Sequence, residues 1–391
     1  MKLNPLIFLI SSDISDADLY IKAQVNSIQK NFELSKANLF KCIYFKAAEP
    51  KDSIIIFIAH HLLVDAVSWQ IIINDFRALI NDHGTDNKSL LDKSTSLNKW
   101  GEYLNEYANS DKLKQEIDFW ANQINEKPNL PVDLDFDKPI LENSIEILHF
   151  TLDKNKTSEL LKKANKEFKT KIDELLVGAL TLTLSEWSKA DIINLGMERH
   201  GRETQDIPEL DLSNSVGWFT SYFPVKLQLE TQDLSSHIKS IKEQLRQIPN
   251  KGIGYGVLKY KSSDIEIDGI ANYSPEVLFN YLGVNHQIKD TEDLMVATAI
   301  EDIPLRSNKS ERDYLFEINT FVQNDILHIN WSYSKDVHHP KTISNLTTSF
   351  KTKLEKIINH CLNNNDETYT PSDFPDVDLN QDDLNNLLDS L

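Results

Sequence analysis

Residues 53–69 read SIIIFIAHHLLVDAVSW, and the rest of the chain is easiest to place once this stretch is understood. Ser53–Ala59 is a continuous apolar run of the kind found in a buried central strand. It stops at His60. From Asp65 onward the period changes, and Trp69, Ile72, Ile73, Phe76 and Ile80 fall on one face of a helix. Strand, short loop and helix together can hold a reactive side chain at the end of a sheet. The adjacent histidines have two open readings. One has an imidazole facing a cleft as a general base near pH 7, with Asp65 orienting a ring or pairing with an arginine. The other has two packed histidines and a helix-capping aspartate. Zinc is disfavoured, because adjacent side chains on an extended segment point to opposite faces. No HExxH or CxxC pattern supplies further ligands.

Around this stretch the first part of the chain mixes strands and helices. MKLNPLIFLI at the start reads as a strand and lacks the features of a cleaved leader. Leu97, Trp100, Leu104 and Tyr107 predict one helix, and Leu113, Ile117, Trp120 and Ile124 another. Asn125–Leu141 carries Pro128, Pro131 and Pro139 and little periodicity, which marks a linker and a lobe boundary. Beyond it come a strand at Glu146–Leu152, a helix from Ile172 to Trp187 and a strand at Asp191–Met197. Ser221–Leu229 alternates as a strand, and Leu234–Leu245 is helical. Gly252–Gly256 (GIGYG) reads as a turn where two backbones pass closely, since it lacks phosphate-loop spacing. Leu278–Leu282 is a buried strand. Tyr314–Val322 and Ile326–Tyr333 form a hairpin across Gln323, Asn324 and Asp325. A last helix runs from Ile343 to Ile357. His338 and His339, before Pro340, read as a solvated loop. The polar tail is expected to be a strap ending in a short helix over Asp382–Leu391. These readings divide the chain into a first lobe (1–140), a second lobe (141–365) and an acidic tail (366–391).

The 391 residues are 40% apolar and 26% charged, with a formal charge of −19. Acidity of this kind argues against a nucleic-acid partner, which needs clustered Lys and Arg, and against an anionic membrane surface. No stretch approaches the roughly 18 apolar residues that span a bilayer. Cys42 lies in an apolar run and reads as a buried thiol. Cys42 and Cys361 suggest neither a disulfide framework nor a zinc site, so a reducing compartment fits.

A third element of interest is Met197–Glu203 (MERHGRE). Glu198 closes a predicted strand, so its carboxylate can enter a cleft as a proton-transfer group. Equally, the segment can be a charged turn whose Arg202 and Glu203 make surface pairs.

Taken in order, HHLLVDAVSW, ERHGRE, NSVGWFTSYFPV, NKGIGYGVLKY, PEVLFNYLG and TPSDF resemble the motifs of the epimerization domains of nonribosomal peptide synthetases, within the condensation-domain superfamily. The resemblance runs from about residue 20 to the C-terminus. It implies an α+β fold of two chloramphenicol-acetyltransferase-like lobes in a V with a central tunnel. Family members begin several tens of residues earlier, so the first lobe is expected to be incomplete. The implied reaction is L-to-D inversion of the α-carbon of an aminoacyl or peptidyl thioester, with His61 and Glu198 as catalytic residues. His60, Asp65, Trp218, Asn280 and Tyr281 are implied as supporting or structural residues. The domain would have no cofactor or metal of its own. Its substrate would arrive on the 4'-phosphopantetheine of a peptidyl carrier domain, with neighbouring synthetase modules as partners, in the cytoplasm and in antibiotic or other secondary metabolism. The alternatives are a condensation domain that forms peptide bonds and an inactive carrier-binding remnant. Two departures from the family motifs bear on this choice. Ala66 stands where the family has glycine, and would be strained at positive φ. Arg199 replaces a glycine beside Glu198, and would depress its pKa or block the tunnel.

Overall fold

The structure is a computed structural model. It describes residues 6–9, 17–36, 38–47, 49, 53–81, 94–126, 128–136, 138–204, 207, 209–230, 233–262, 269–270, 272–284, 303–363, 368–374, 376–377 and 379–389. The chain divides into two compact units. The first comprises Met1–Tyr103, Arg202–Thr220 and Gln287–Ser307, and the second comprises Leu104–Gly201, Ser221–His286 and Asn308–Leu391.

The first unit holds β1 (Leu6–Leu9), α1 (Ala17–Lys30), β2 (Phe40–Lys46), β3 (Ile54–Ala59), α2 (Ala66–Asn81) and the start of α3 (Leu97–Ala108). Its three strands lie in the order β1-β2-β3. Ile21 and Val25 of α1 pack with Ile43, Phe45 and Ile58 to make its core. The apolar run Ser53–Ala59 is a strand, as expected, but not a central one. Among the described residues β3 is an edge, and Ile54 and Ile55 are each 41% exposed. The central strand is β2, whose alternation buries Ile43 and Phe45 completely. A run of isoleucines carries no information about which strand has two neighbours, and this is why the sequence misled. Cys42, expected to be buried, is only partly so.

The second unit takes up the end of α3 and continues with α4 (Asp111–Gln115) and α5 (Ile117–Ile124), which replace the single helix expected there. The break falls at Glu116. Its buried carboxylate accepts hydrogen bonds from Tyr107 Oη and from Trp120 Nε1, the latter at 2.8 Å. Burial raises the Glu116 pKa, and those two donors oppose the rise. After β4 (Ile140–Leu141) come β5 (Ile145–Leu152), α6 (Lys154–Glu159), α7 (Asn165–Glu167), α8 (Ile172–Ser188), β6 (Ile192–Arg199) and β7 (Ser221–Gln228). The remainder is α9 (Leu234–Arg246), α10 (Ile253–Tyr260), β8 (Val277–Val284), β9 (Glu311–Arg312), β10 (Phe316–Gln323), β11 (Ile326–Ser334), α11 (Pro340–Asn363) and α12 (Gln381–Asp389). Ser390 and Leu391, expected to extend the last helix, lie outside the described residues.

Six strands form one sheet in the order β5-β11-β10-β8-β6-β7. β8 runs parallel to β6 and β10, and the other pairs are antiparallel. Side chains alternate between faces. Ile318, Thr320, Ile329 and Trp331 are buried on one face, and α8 brings Leu175, Leu176, Leu180 and Leu184 into the same core. The hairpin between β10 and β11 turns at Asn324 and Asp325, both at positive φ as a tight primed turn requires.

The expected boundary at residue 140 falls inside the second unit. Prolines stop regular structure but do not stop packing: Trp120, upstream of them, lies 6.2 Å from the Phe223 ring on β7 and 5.5 Å from Tyr255 on α10. Two further expectations are corrected. GIGYG is a turn only at Gly252 (φ +91°), and the rest of it is helical in α10. His338 is not solvated but fully buried, 4.8 Å from Phe316 and 5.9 Å from Trp187 between ring centroids. In the tail, Asp373 accepts from the buried Lys242 Nζ at 2.6 Å and from Arg246 Nη1 at 2.8 Å, which pins the TPSDF segment.

Gly254 and Gly256 make a matched test of this packing. A Cβ on Gly254 would overlap the Glu116 carboxylate, whereas one on Gly256 meets nothing within 4 Å. Gly254→Ala should lower the denaturant midpoint by the equivalent of about 1–3 kcal/mol. Gly256→Ala should leave it unchanged or raise it by up to about 1 kcal/mol. Equal effects would contradict the packing described.

Candidate active site

His60 and His61 follow directly on β3, and the chain turns there into a short 3-10 segment, His61–Leu63. The His60 backbone N–H donates to Leu39 O (2.8 Å), and its Nδ1 accepts from Leu62 N–H at 3.2 Å. His60 is thus engaged locally, with its ring edge-on to Phe32. The His61 side chain is exposed, and its ring lies 5.0 Å from that of Trp218. Trp218 belongs to the excursion Arg202–Thr220, which packs in the first unit with the histidines.

Asp65 fastens that excursion. Its carboxylate is 3% exposed and accepts both Arg202 terminal nitrogens, at 2.6 and 2.9 Å. It also accepts Ser68 N–H at 2.8 Å and Phe219 N–H at 3.1 Å. Ser68 Oγ lies 2.8 Å from both Asp65 Oδ1 and Gly217 O, and accepts from Gly217 N–H at 3.0 Å. The Arg202 guanidinium lies 4.4 Å from the centre of the Phe219 ring. Burial alone would push the Asp65 carboxyl up. The hydrogen bonds from Arg202 and Ser68, with the guanidinium charge, outweigh it and hold the pKa below the usual value. Asp65 therefore caps α2 and pairs with an arginine, and all its bonds are structural. Arg202, for which a surface pair was one of the open sequence readings, is instead a buried partner of Asp65. Ala66 is not among the positive-φ residues, so the expected strain at that position does not arise. One N–H at the start of α2, that of Ser68, is thus taken by Asp65.

Glu198 is the penultimate residue of β6, in the second unit. Its Oε2 accepts Asn280 Nδ2 at 2.7 Å, and Tyr222 is its cross-strand neighbour on β7. The Tyr222 and Tyr314 hydroxyls are hydrogen-bonded. Burial drives the Tyr222 hydroxyl far up, so it stays protonated. In Tyr314 burial and the Glu198 charge raise the pKa against the Tyr222 hydrogen bond. Neither tyrosine was singled out from sequence, because tyrosines in strands are ordinary.

Not every expected neighbour joins Glu198. Asn280 and Tyr281 are consecutive on β8 and point to opposite faces. Asn280 reaches Glu198. Tyr281 lies on the other face, where burial and the nearby Asp173 charge push its hydroxyl up to about 12. Arg199 likewise turns away from Glu198, 4.0 Å from Asp173 and over the Phe223 ring. The alternation that gave Glu198 its face sends the neighbouring cation to the other. Among the described residues no group of three or more His, Cys, Asp or Glu side chains is placed to hold a metal ion. No described helix is long and apolar enough to cross a membrane.

Proteins similar to this chain agree with the fold. The condensation-domain family matches residues 5–379. Bacitracin synthase 2 of Bacillus licheniformis is 36% identical over 366 residues, covering 93% of this chain and 14% of that protein. Tyrocidine synthase 2 of Brevibacillus parabrevis is 33% identical over 371 residues, covering 93% of this chain and 10% of that protein. The chain thus spans only a small part of these curated relatives. Among solved structures, the epimerization domain from the third module of tyrocidine synthetase B has 29% identity and a TM-score of 0.81, over 93% of this chain and 81% of that one. A cyclization-docking bidomain from Sorangium cellulosum shares the fold at 16% identity and a TM-score of 0.63, over 92% of this chain and 71% of that one. The chain belongs to the condensation-domain family of nonribosomal peptide synthetases. Its mixed α and β architecture with open sheets is the chloramphenicol-acetyltransferase-like one expected from the sequence.

The Asp65–Arg202 pair can be tested by stability. Asp65→Asn leaves a buried guanidinium without its counter-charge, and should cost about 3–5 kcal/mol in chemical denaturation. The sign with pH follows from the depressed pKa. The contribution is fully present above the ordinary carboxylate range near pH ~4 and is lost as pH falls through the lower folded value. The variant should lose that part of the acid sensitivity. An unchanged midpoint would show that the pair does not hold the segment.

Proposed function

We propose that this chain is an epimerization domain. It inverts the α-carbon of an aminoacyl or peptidyl thioester carried on the phosphopantetheine arm of a carrier domain. The observation that carries the reading is the placement of Glu198 near the end of β6, where Asn280 Nδ2 donates to its Oε2 at 2.7 Å. That hydrogen bond orients the carboxylate for proton transfer. Glu198 and the exposed His61 are the two proton-transfer groups of the reaction. One removes the α-hydrogen as a proton, and the electron pair left on the α-carbon delocalises onto the thioester carbonyl oxygen as an enolate. The other returns a proton to the opposite face, and the thioester bond remains intact. The likeness to the tyrocidine epimerization domain supports this choice within the family. The partners are a peptidyl carrier domain and neighbouring synthetase modules, acting in the cytoplasm in antibiotic or other secondary metabolism.

A second reading has its own support. The family that matches is that of condensation domains, so peptide-bond formation between two carrier-bound units is the competing reaction.

The test is hydrogen exchange. With a loaded carrier in heavy water, the wild type should incorporate one deuterium at the α-carbon. His61→Ala and Glu198→Gln should each slow incorporation by about 10²–10⁴-fold. Peptide formation from donor and acceptor carriers, without α-exchange, would replace this reading with the second.

A further inference from the structure

The large sheet carries one feature that proton transfer at Glu198 does not use. At a single level of the strand register, Tyr222, Glu198, Asn280, Asn319, Asn330 and His149 stand side by side on one face, one from each of six strands. Directly paired residues share a face, and neighbouring strands lie 4.7–4.9 Å apart. From Glu198 to His149 the row therefore runs about 19 Å. Asparagine is disfavoured in strands, yet three adjacent strands place it at the same level.

The hydrogen-bonding capacity of the row is incompletely used. Asn319 Nδ2 donates to Glu317 Oε1 at 3.2 Å, and Asn330 Oδ1 is bonded to His149 Nδ1 at 2.7 Å. Among the described residues, Asn319 Oδ1 and Asn330 Nδ2 have no protein partner. One is an acceptor and the other a donor, on adjacent strands. All three asparagines are partly exposed, and His149 is exposed. Beside the row the rings of Phe321, His328 and His149 form a flat shelf, with centroids 5.0 and 5.3 Å apart and interplanar angles of 5° and 27°.

We propose that this row is a binding track for the secondary amides of an extended substrate chain whose reactive end lies at Glu198. An acceptor and a donor side by side match an N–H and a C=O from neighbouring amides of an extended chain, and about 19 Å accommodates some five or six extended residues. The proposal rests on the assignment of Glu198 to the reaction centre. Amides of this kind come from two sources: the peptide bonds upstream of the reacting residue, or the pantetheine arm.

Binding separates these sources without turnover. Three stable probes, with an amide in place of the thioester, are titrated by calorimetry into the full chain and into Asn319→Leu/Asn330→Leu. They are an aminoacyl pantetheine, a tetrapeptidyl pantetheine and a tetrapeptidyl N-acetylcysteamine. Loss of two hydrogen bonds should weaken binding about tenfold or more. Weakening confined to the two tetrapeptidyl probes assigns the track to upstream peptide and predicts a peptidyl substrate. Weakening confined to the two pantetheine probes assigns it to the arm. If the double variant fails to fold, Asn330→Ala alone, at a partly exposed position, gives the same comparison. Affinities unchanged by either variant, or a wild type that binds none of the probes, would overturn the proposal. Row-dependent binding without α-exchange would instead overturn only the epimerase reading.

Discussion

The bidentate pair between Asp65 and Arg202 is the constraint on which the surroundings of His61 depend. It joins residues 137 apart in sequence and buries both charges. Such a pair is retained only where nearly every lone pair and N–H is satisfied. Here Ser68, Phe219 N–H and Ser215 O supply further bonds to the pair. The consequence is local and specific. With Arg202 and Phe219 fixed, Trp218 is brought against His61, so the imidazole has an aromatic neighbour instead of bulk water on that side.

Glu198 obeys a different rule. Glu198 is presented by strand alternation, which sends Met197 and Arg199 to the packed face and leaves the acid on the other. Gly201, at φ +64°, then lets the chain leave the sheet for the excursion that carries Arg202 and Trp218. One motif of a few residues thus supplies the acid, the turn and the cation that holds Asp65.

Much of this was legible in the sequence, for identifiable reasons. Helices α8, α9 and α11 and the β10–β11 hairpin carry strong periodicity and turn residues, and they appear where that patterning put them. His61 and Glu198 were reached through the family motifs, since spacing alone left bland alternatives standing. Long-range pairing was not legible. Nothing local says that Glu116 would break a helix to meet Tyr107 and Trp120, or that Ile54 and Ile55 lie on an edge. His338 looked solvated because it adjoins a proline, yet its ring fills space between Phe316 and Trp187. The asparagine row was invisible for the same reason, since its members lie on separate strands and meet only through register.

An epimerization domain interconverts the two configurations at a carrier-bound α-carbon. The decisive measurement is chiral analysis of the released amino acid or peptide, starting separately from the L- and the D-loaded carrier. Both preparations are expected to converge on one L-to-D ratio. Retention of each starting configuration, at a chain concentration that binds the carrier, would rule the proposed reaction out.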